Sequence, residues 1–137
     1  MNTGLVDYHG HKMHEGDYVR LVPEELRQDL GSVDWDSHTA WSEIGRVIWD
    51  KRRNSWQVLR MILPKDDIRP ELWGMARVDW LGDYNSRCYE LVIDGGIPLK
   101  DRDKFRASDK LKGDWHPDTY LSGGVEVKYM TYKEAHK

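Results

Sequence analysis

A mainly β domain, built as a small SH3-like or bent-sheet β-barrel with one or two short inserted helices, is the architecture this sequence predicts. Three observations point there. Short stretches with two-residue hydrophobic alternation recur along the chain, Ile44–Asp50 and Trp56–Ile62 most clearly. Clusters of Gly, Asp, Asn and Pro separate them at turn-length intervals. The 137 residues suffice for one domain spanning 1–137, and 39% apolar content makes its core lean.

Thr3 to Asp7 and His11 to Glu15 are expected as two short strands. Asp7-Tyr8-His9-Gly10 joins them, Asp opening the turn and Gly taking a positive-φ position at its end. Glu15-Gly16-Asp17 turns the chain into a third strand, Tyr18 to Val22, in which Val19 and Leu21 share a face. Pro23 to Gly31 reads as a short helix. Pro23 fits the first turn, Glu24 and Glu25 favour the positive end of the helix dipole, Leu26 and Leu30 share one face, and Gly31 ends it. Residues 32–42 read as a loop. The hairpin of Ile44–Asp50 with Trp56–Ile62 has Lys51-Arg52-Arg53-Asn54-Ser55 as its tip, after which Pro64 and Pro70 break the pattern. Residues 76–81 and 88–94 are further strands, split by Gly82-Asp83-Tyr84-Asn85. Residues 98–118 are charge-dense and read as loop, and Val125 to Tyr132 is a final strand with Val125, Val127 and Tyr129 on one face.

Composition limits the function classes. A net charge of −3 requires any nucleic-acid surface to concentrate its cations in a patch, and falls short of the acidic excess of a DNA mimic. The single cysteine, Cys88, leaves no internal disulfide or cysteine-rich zinc site and suits a reducing cytoplasm. No apolar run approaches the ~18 residues of a membrane span, and no signal-peptide core is expected at the N-terminus.

Four sets of residues carry candidate chemistry. His9, His11 and His14, with Glu15 or Asp17, supply donors for zinc or another transition metal. The expected turn at Gly10 separates His9 from His11, and His14 points to the opposite strand face, so the favoured reading is histidines in water and no cofactor. Lys51, Arg52 and Arg53 form a basic tip, and Lys100, Arg102, Lys104 and Arg106 a second basic stretch that can meet phosphates. Asp101 and Asp103 interleave the second stretch and weaken its field, which makes a solvated charged loop the simpler reading. The carboxylate pairs Asp66-Asp67, Asp34 with Asp36, and Asp101 with Asp103 lack the accompanying motif that acid–base or metal chemistry needs, and surface turns explain them. Cys88 reads as a structural thiol. Among the tryptophans, Trp49, Trp56 and Trp80 fall in strands and suit core packing. Trp35, Trp41, Trp73 and Trp115 fall in loops, where a tryptophan beside Asp and Arg suits a protein-binding hot spot.

Thr3-Gly4-Leu5-Val6-Asp7, then Gly10, then Glu15-Gly16-Asp17-Tyr18-Val19 resembles the YopX family of phage and prophage proteins, with its Thr-Gly-Leu-x-Asp-x-x-Gly stretch followed by Glu-Gly-Asp-x-Val. Gly45-Arg46-Val47-Ile48-Trp49-Asp50 is similar to that family's later Gly-x-Val-x-Trp segment. The likeness covers residues 3–61, within a β core of residues 3–62. Family members carry an extra stretch before the Thr-Gly-Leu motif, and residues 64–137 match no part of the family. The resemblance implies a phage or prophage origin and a compact β domain, and brings no catalytic residues. The expected function is therefore a small, phage-encoded, non-enzymatic protein that binds a host protein in the bacterial cytoplasm, host RNA polymerase and its transcription apparatus first, by analogy with phage biology. Its expected contacts are Trp35, Trp41, Arg52, Arg53 and Trp73. The alternatives are a nucleic-acid-binding barrel using Lys51–Arg53 and Lys100–Arg106, and a metal enzyme at His9, His11 and His14.

Overall fold

Short alternating segments separated by tight turns can bury their apolar sides only by pairing with one another, and about half of the described residues do so as strands. A computed structural model describes residues 1–22, 44–64, 66–92 and 117–137. The strands are β1 (Asn2–Val6), β2 (Lys12–His14), β3 (Tyr18–Leu21), β4 (Ile44–Asp50), β5 (Ser55–Met61), β6 (Ala76–Trp80), β7 (Tyr89–Val92), β8 (Thr119–Ser122) and β9 (Val125–Lys128). Short 3-10 turns lie at Pro70–Leu72 and Asn85–Cys88, and a one-turn helix, α1 (Tyr132–Ala135), follows β9. β1 and β2 form a two-stranded sheet; the other seven form one mixed sheet in the order β7-β3-β4-β5-β6-β8-β9. All its pairings are antiparallel except β6 with β8.

The mainly β, bent-sheet expectation holds, and the curl stops short of a closed barrel among the described residues. Curvature is visible in one contact: the Tyr120 hydroxyl of β8 reaches Asp50 of β4 although β5 and β6 lie between them in the sheet. Alternation divides the core between the two faces. Ile48, Leu59, Ala76 and Tyr120, with half-buried Val78, Val127 and Tyr129, fill the concave side. Val47 pairs with Val58, and both pack with Val19, Tyr89 and Leu81 on the other side, where the small hairpin contributes Leu5 and Met13.

The first turn forms as its residues require. Gly10 has φ +83° and donates its N–H to the Asp7 carbonyl at 3.0 Å. The Asp7 carboxylate does more than open the turn. Fully buried, it accepts the N–H groups of His9 (2.9 Å), His11 (2.8 Å) and, from β7, Leu91 (3.0 Å). This stitches the small hairpin to the main sheet.

Three elements differ from expectation. The last strand ends at Lys128, and Tyr132 belongs to α1, because the Thr131 hydroxyl caps that helix by accepting the Glu134 N–H at 3.2 Å. β8 carries no clear alternation in the sequence; it pairs with β9 through Gly123-Gly124, whose φ values of +59° and +80° form a two-residue hairpin turn. Cys88 closes a 3-10 turn ahead of β7 and is half-buried. The expected Pro23–Gly31 helix, the 32–42 loop with Trp35 and Trp41, and the basic stretch Lys100, Arg102, Lys104 and Arg106 lie outside the described residues, as does Trp115.

Trp49 and Trp56 face each other across β4 and β5 and seat the C-terminal turn. The Tyr132 ring stacks on Trp56 (5.3 Å, 13°) and meets Trp49 edge-on (4.8 Å, 80°), while the Tyr132 N–H donates to the Glu15 carboxylate at 2.7 Å. No helix among the described residues is long and apolar enough to cross a membrane.

Candidate functional site

The connection from β5 to β6 is held by a dense set of backbone and side-chain bonds. Its base is closed by backbone bonds from Ile62 N–H to Met75 C=O (2.7 Å) and from Gly74 N–H to Ile62 C=O (2.8 Å). Two consecutive aspartates shape what lies between. Asp66 accepts the Leu63 N–H (3.1 Å) and takes a bidentate grip from Arg60 (3.0 and 3.3 Å), which also binds Asp79 of β6. Asp67 accepts the Arg69 N–H (2.9 Å) and both arms of its guanidinium (3.0 and 2.9 Å), and its carbonyl accepts the Trp73 indole N–H at 2.6 Å. Pro70 then starts the 3-10 turn with its fixed φ, and Leu72 C=O accepts the Met75 N–H at 3.0 Å.

These bonds hold a constrained loop with an apolar crest. Ile68 is 93% exposed, Trp73 43%, and Met61 and Met75 flank them with their side chains in solvent. Holding the loop backbone and the Trp73 indole in place in advance removes entropy that binding would otherwise cost. Beside the loop runs a cleft of about 240 Å³, lined by Ile62, Leu72, Val78 and Leu121 with Arg69 and Arg77, and bounded by the Gly123-Gly124 turn.

The electrostatics argue for structure over acid–base work. Burial alone raises the Asp66 carboxyl, but the Arg60 guanidinium overrides it and holds the group below its usual range. Arg69 holds Asp67 at about 2. Burial lowers Arg60, and its bonds to Asp79 and Asp66 more than restore it. The pair Asp66-Asp67 is thus two arginine-bound carboxylates, each committed as an anion.

Of the residues singled out from sequence, Trp73 stands on this crest. Arg52 and Arg53 are exposed at the tip, and both guanidinium groups bond back to the β8–β9 turn. The Arg52 guanidinium donates to the Ser122 carbonyl, and Arg53 Nε donates to the Ser122 hydroxyl (3.1 Å) and lies 3.8 Å from Asp50. Asp50, fully buried, accepts the Tyr120 hydroxyl (2.9 Å), the Ser122 hydroxyl (2.6 Å) and the Arg52 N–H (3.2 Å). Both arginines therefore clamp the β4–β5 tip to the β8–β9 turn while staying exposed, as Lys51 is.

The histidines separate into three local pairs. His9 Nε2 lies 3.2 Å from Glu90, His11 Nδ1 3.5 Å from Asp7, and His14 Nδ1 3.8 Å from Asp17. His9 and His11 approach to 6.1 Å between ring centroids, while His14 sits opposite Asn2 at the far end of the small hairpin. Among the described residues no group of three or more His, Cys, Asp or Glu gathers with the spacing of a metal site. Ile68, Met75 and the Asp50 node escaped sequence reasoning; the doubled Asp66-Asp67 before Arg69-Pro70 is the one local signal of the loop, as an Asx-type turn marker.

No protein-family model matches the chain, and no curated protein and no solved structure matches it either.

Proposed function

We propose that this chain is a small, phage-type binding protein with no chemistry of its own, which grips a host protein in the host cytoplasm through the crest that carries Ile68 and Trp73. The observation that carries this reading is the exposure of Ile68 and Trp73 on a segment ordered by the Asp66 and Asp67 bonds. Surface apolar side chains on a constrained scaffold are the usual anchors of protein interfaces, tryptophan foremost. The YopX-like segment at residues 3–61 supports a phage setting, and phage analogy makes host RNA polymerase the first partner to test. The nucleic-acid alternative loses Arg52 and Arg53 to the Asp50 node, which lowers its weight.

The test is capture from host lysate with the unaltered chain, Ile68→Asp and Trp73→Ala side by side. The unaltered chain should retain one stoichiometric partner. Trp73→Ala should weaken binding by about 2 kcal/mol and Ile68→Asp by at least tenfold, roughly the scale of hot-spot truncation. Equal retention by all three proteins, or no stoichiometric partner, contradicts the proposal.

A further inference from the structure

Among the described residues β9 ends the seven-stranded sheet, and its outer edge has a self-complementary order of backbone and charge. We propose that this edge pairs antiparallel with the same edge of a second copy of the chain, centred on Val127. The Gly123-Gly124 turn makes Ser122 and Val125 the pair that closes the β8–β9 hairpin. Val125 and Val127 therefore spend their N–H and C=O groups on β8, and Tyr129 continues that parity with its N–H on the Asp118 carbonyl at 2.9 Å. The intervening residues, Glu126 and Lys128, turn their backbone groups outward, and no backbone partner meets them among the described residues. Both side chains are exposed, and Val125 is 47% exposed beside them.

An edge with only two outward-facing residues permits few registers. A symmetric contact between identical strands is antiparallel. Hydrogen-bond parity then allows Glu126 opposite Glu126, Lys128 opposite Lys128, or Glu126 opposite Lys128. The first two bring like charges face to face, which is unfavourable in a sheet. The third exchanges backbone bonds at two Glu126–Lys128 pairs, sets Val127 against Val127 on the axis, and lays Tyr129 of the second copy beside the exposed Val125. Charged edges ordinarily repel foreign strands; this order of charges admits its own copy in one register.

Sedimentation velocity of the full chain, over a concentration series up to about 100 µM, tests this. The unaltered chain should dimerise. Lys128→Glu, which turns two attractive pairs into repulsive ones, should weaken the dimer at least about tenfold. The charge swap Glu126→Lys with Lys128→Glu should restore it to within about threefold. Glu126→Pro, which removes an outward N–H and leaves the bonds to β8 in place, should give a folded monomer with an unchanged circular dichroism spectrum. A chain that stays monomeric throughout, a dimer indifferent to Lys128→Glu and Glu126→Pro, or a charge swap that fails to restore association overturns the proposal.

Discussion

Replacing Asp50 with alanine is expected to cost about 3–5 kcal/mol, the scale seen when a buried charge network loses one partner. The carboxylate is fully buried and serves Tyr120, Ser122 and the Arg52 backbone at once, with the Arg53 guanidinium 3.8 Å away. Removing it leaves two buried hydroxyls and the Arg52 N–H without their acceptor, and Arg53 without its counter-charge. Tyr120→Phe and Ser122→Ala remove donor and need together, so each should cost only about 1–1.5 kcal/mol. The node joins the β4–β5 tip to β8, across the curl of the sheet, so the loss is global and two-state. Urea unfolding measures it. The Asp50→Ala and Tyr120→Phe effects should be clearly less than additive in the double variant, because they break the same bond. A loss under about 1 kcal/mol for Asp50→Ala would mean that the node does not hold the curl.

Alkaline pH should destabilise the fold steeply. Burial pushes the Tyr89 phenol up to about 12, with a further contribution from Asp79. Burial and then the bond to Asp50 raise Tyr120, and burial raises Tyr129. A raised phenol means that the folded state holds its proton more tightly than the unfolded chain, where tyrosine titrates near 10. The stability so conferred is fully present below about pH 10, and it is lost as pH rises through the folded value. For Tyr89 alone the slope is about 1.4 kcal/mol per pH unit, or roughly 2.7 kcal/mol between pH 10 and 12. Tyr120 adds a loss of the same sign. Unfolding free energies measured by urea at successive pH values should fall across that window, and Tyr89→Phe should make the fall shallower. Stability that stays flat up to pH 12 contradicts the burial of these phenols.

Local signals made the first half of the fold legible. The Asp7–Gly10 turn, the β4–β5 hairpin and β6 announce themselves by residues within a few positions of each other. What stayed hidden depends on distant partners. Asp50 looks like a strand-end residue until Tyr120 and Ser122, 70 and 72 positions away, arrive beside it. For the same reason the bonds of the exposed Arg52 and Arg53 are not legible locally: their acceptors sit on the β8–β9 turn. The parallel pairing of β6 with β8 has no connecting turn to betray it. Within the candidate site, Trp73 was visible as a loop tryptophan. Ile68 was not, because a lone isoleucine between Asp67 and Arg69 carries no periodicity, and only its 93% exposure marks it.

The proposed docking through the crest is tested most directly by a photo-crosslinking residue placed at Ile68 of this chain in bacterial cells, with the same residue at exposed Tyr84 as the control. Docking through the crest predicts one discrete covalent adduct from position 68, lost with Trp73→Ala, and none from position 84. No adduct from position 68, an adduct indifferent to Trp73→Ala, or the same adduct from both positions would contradict it.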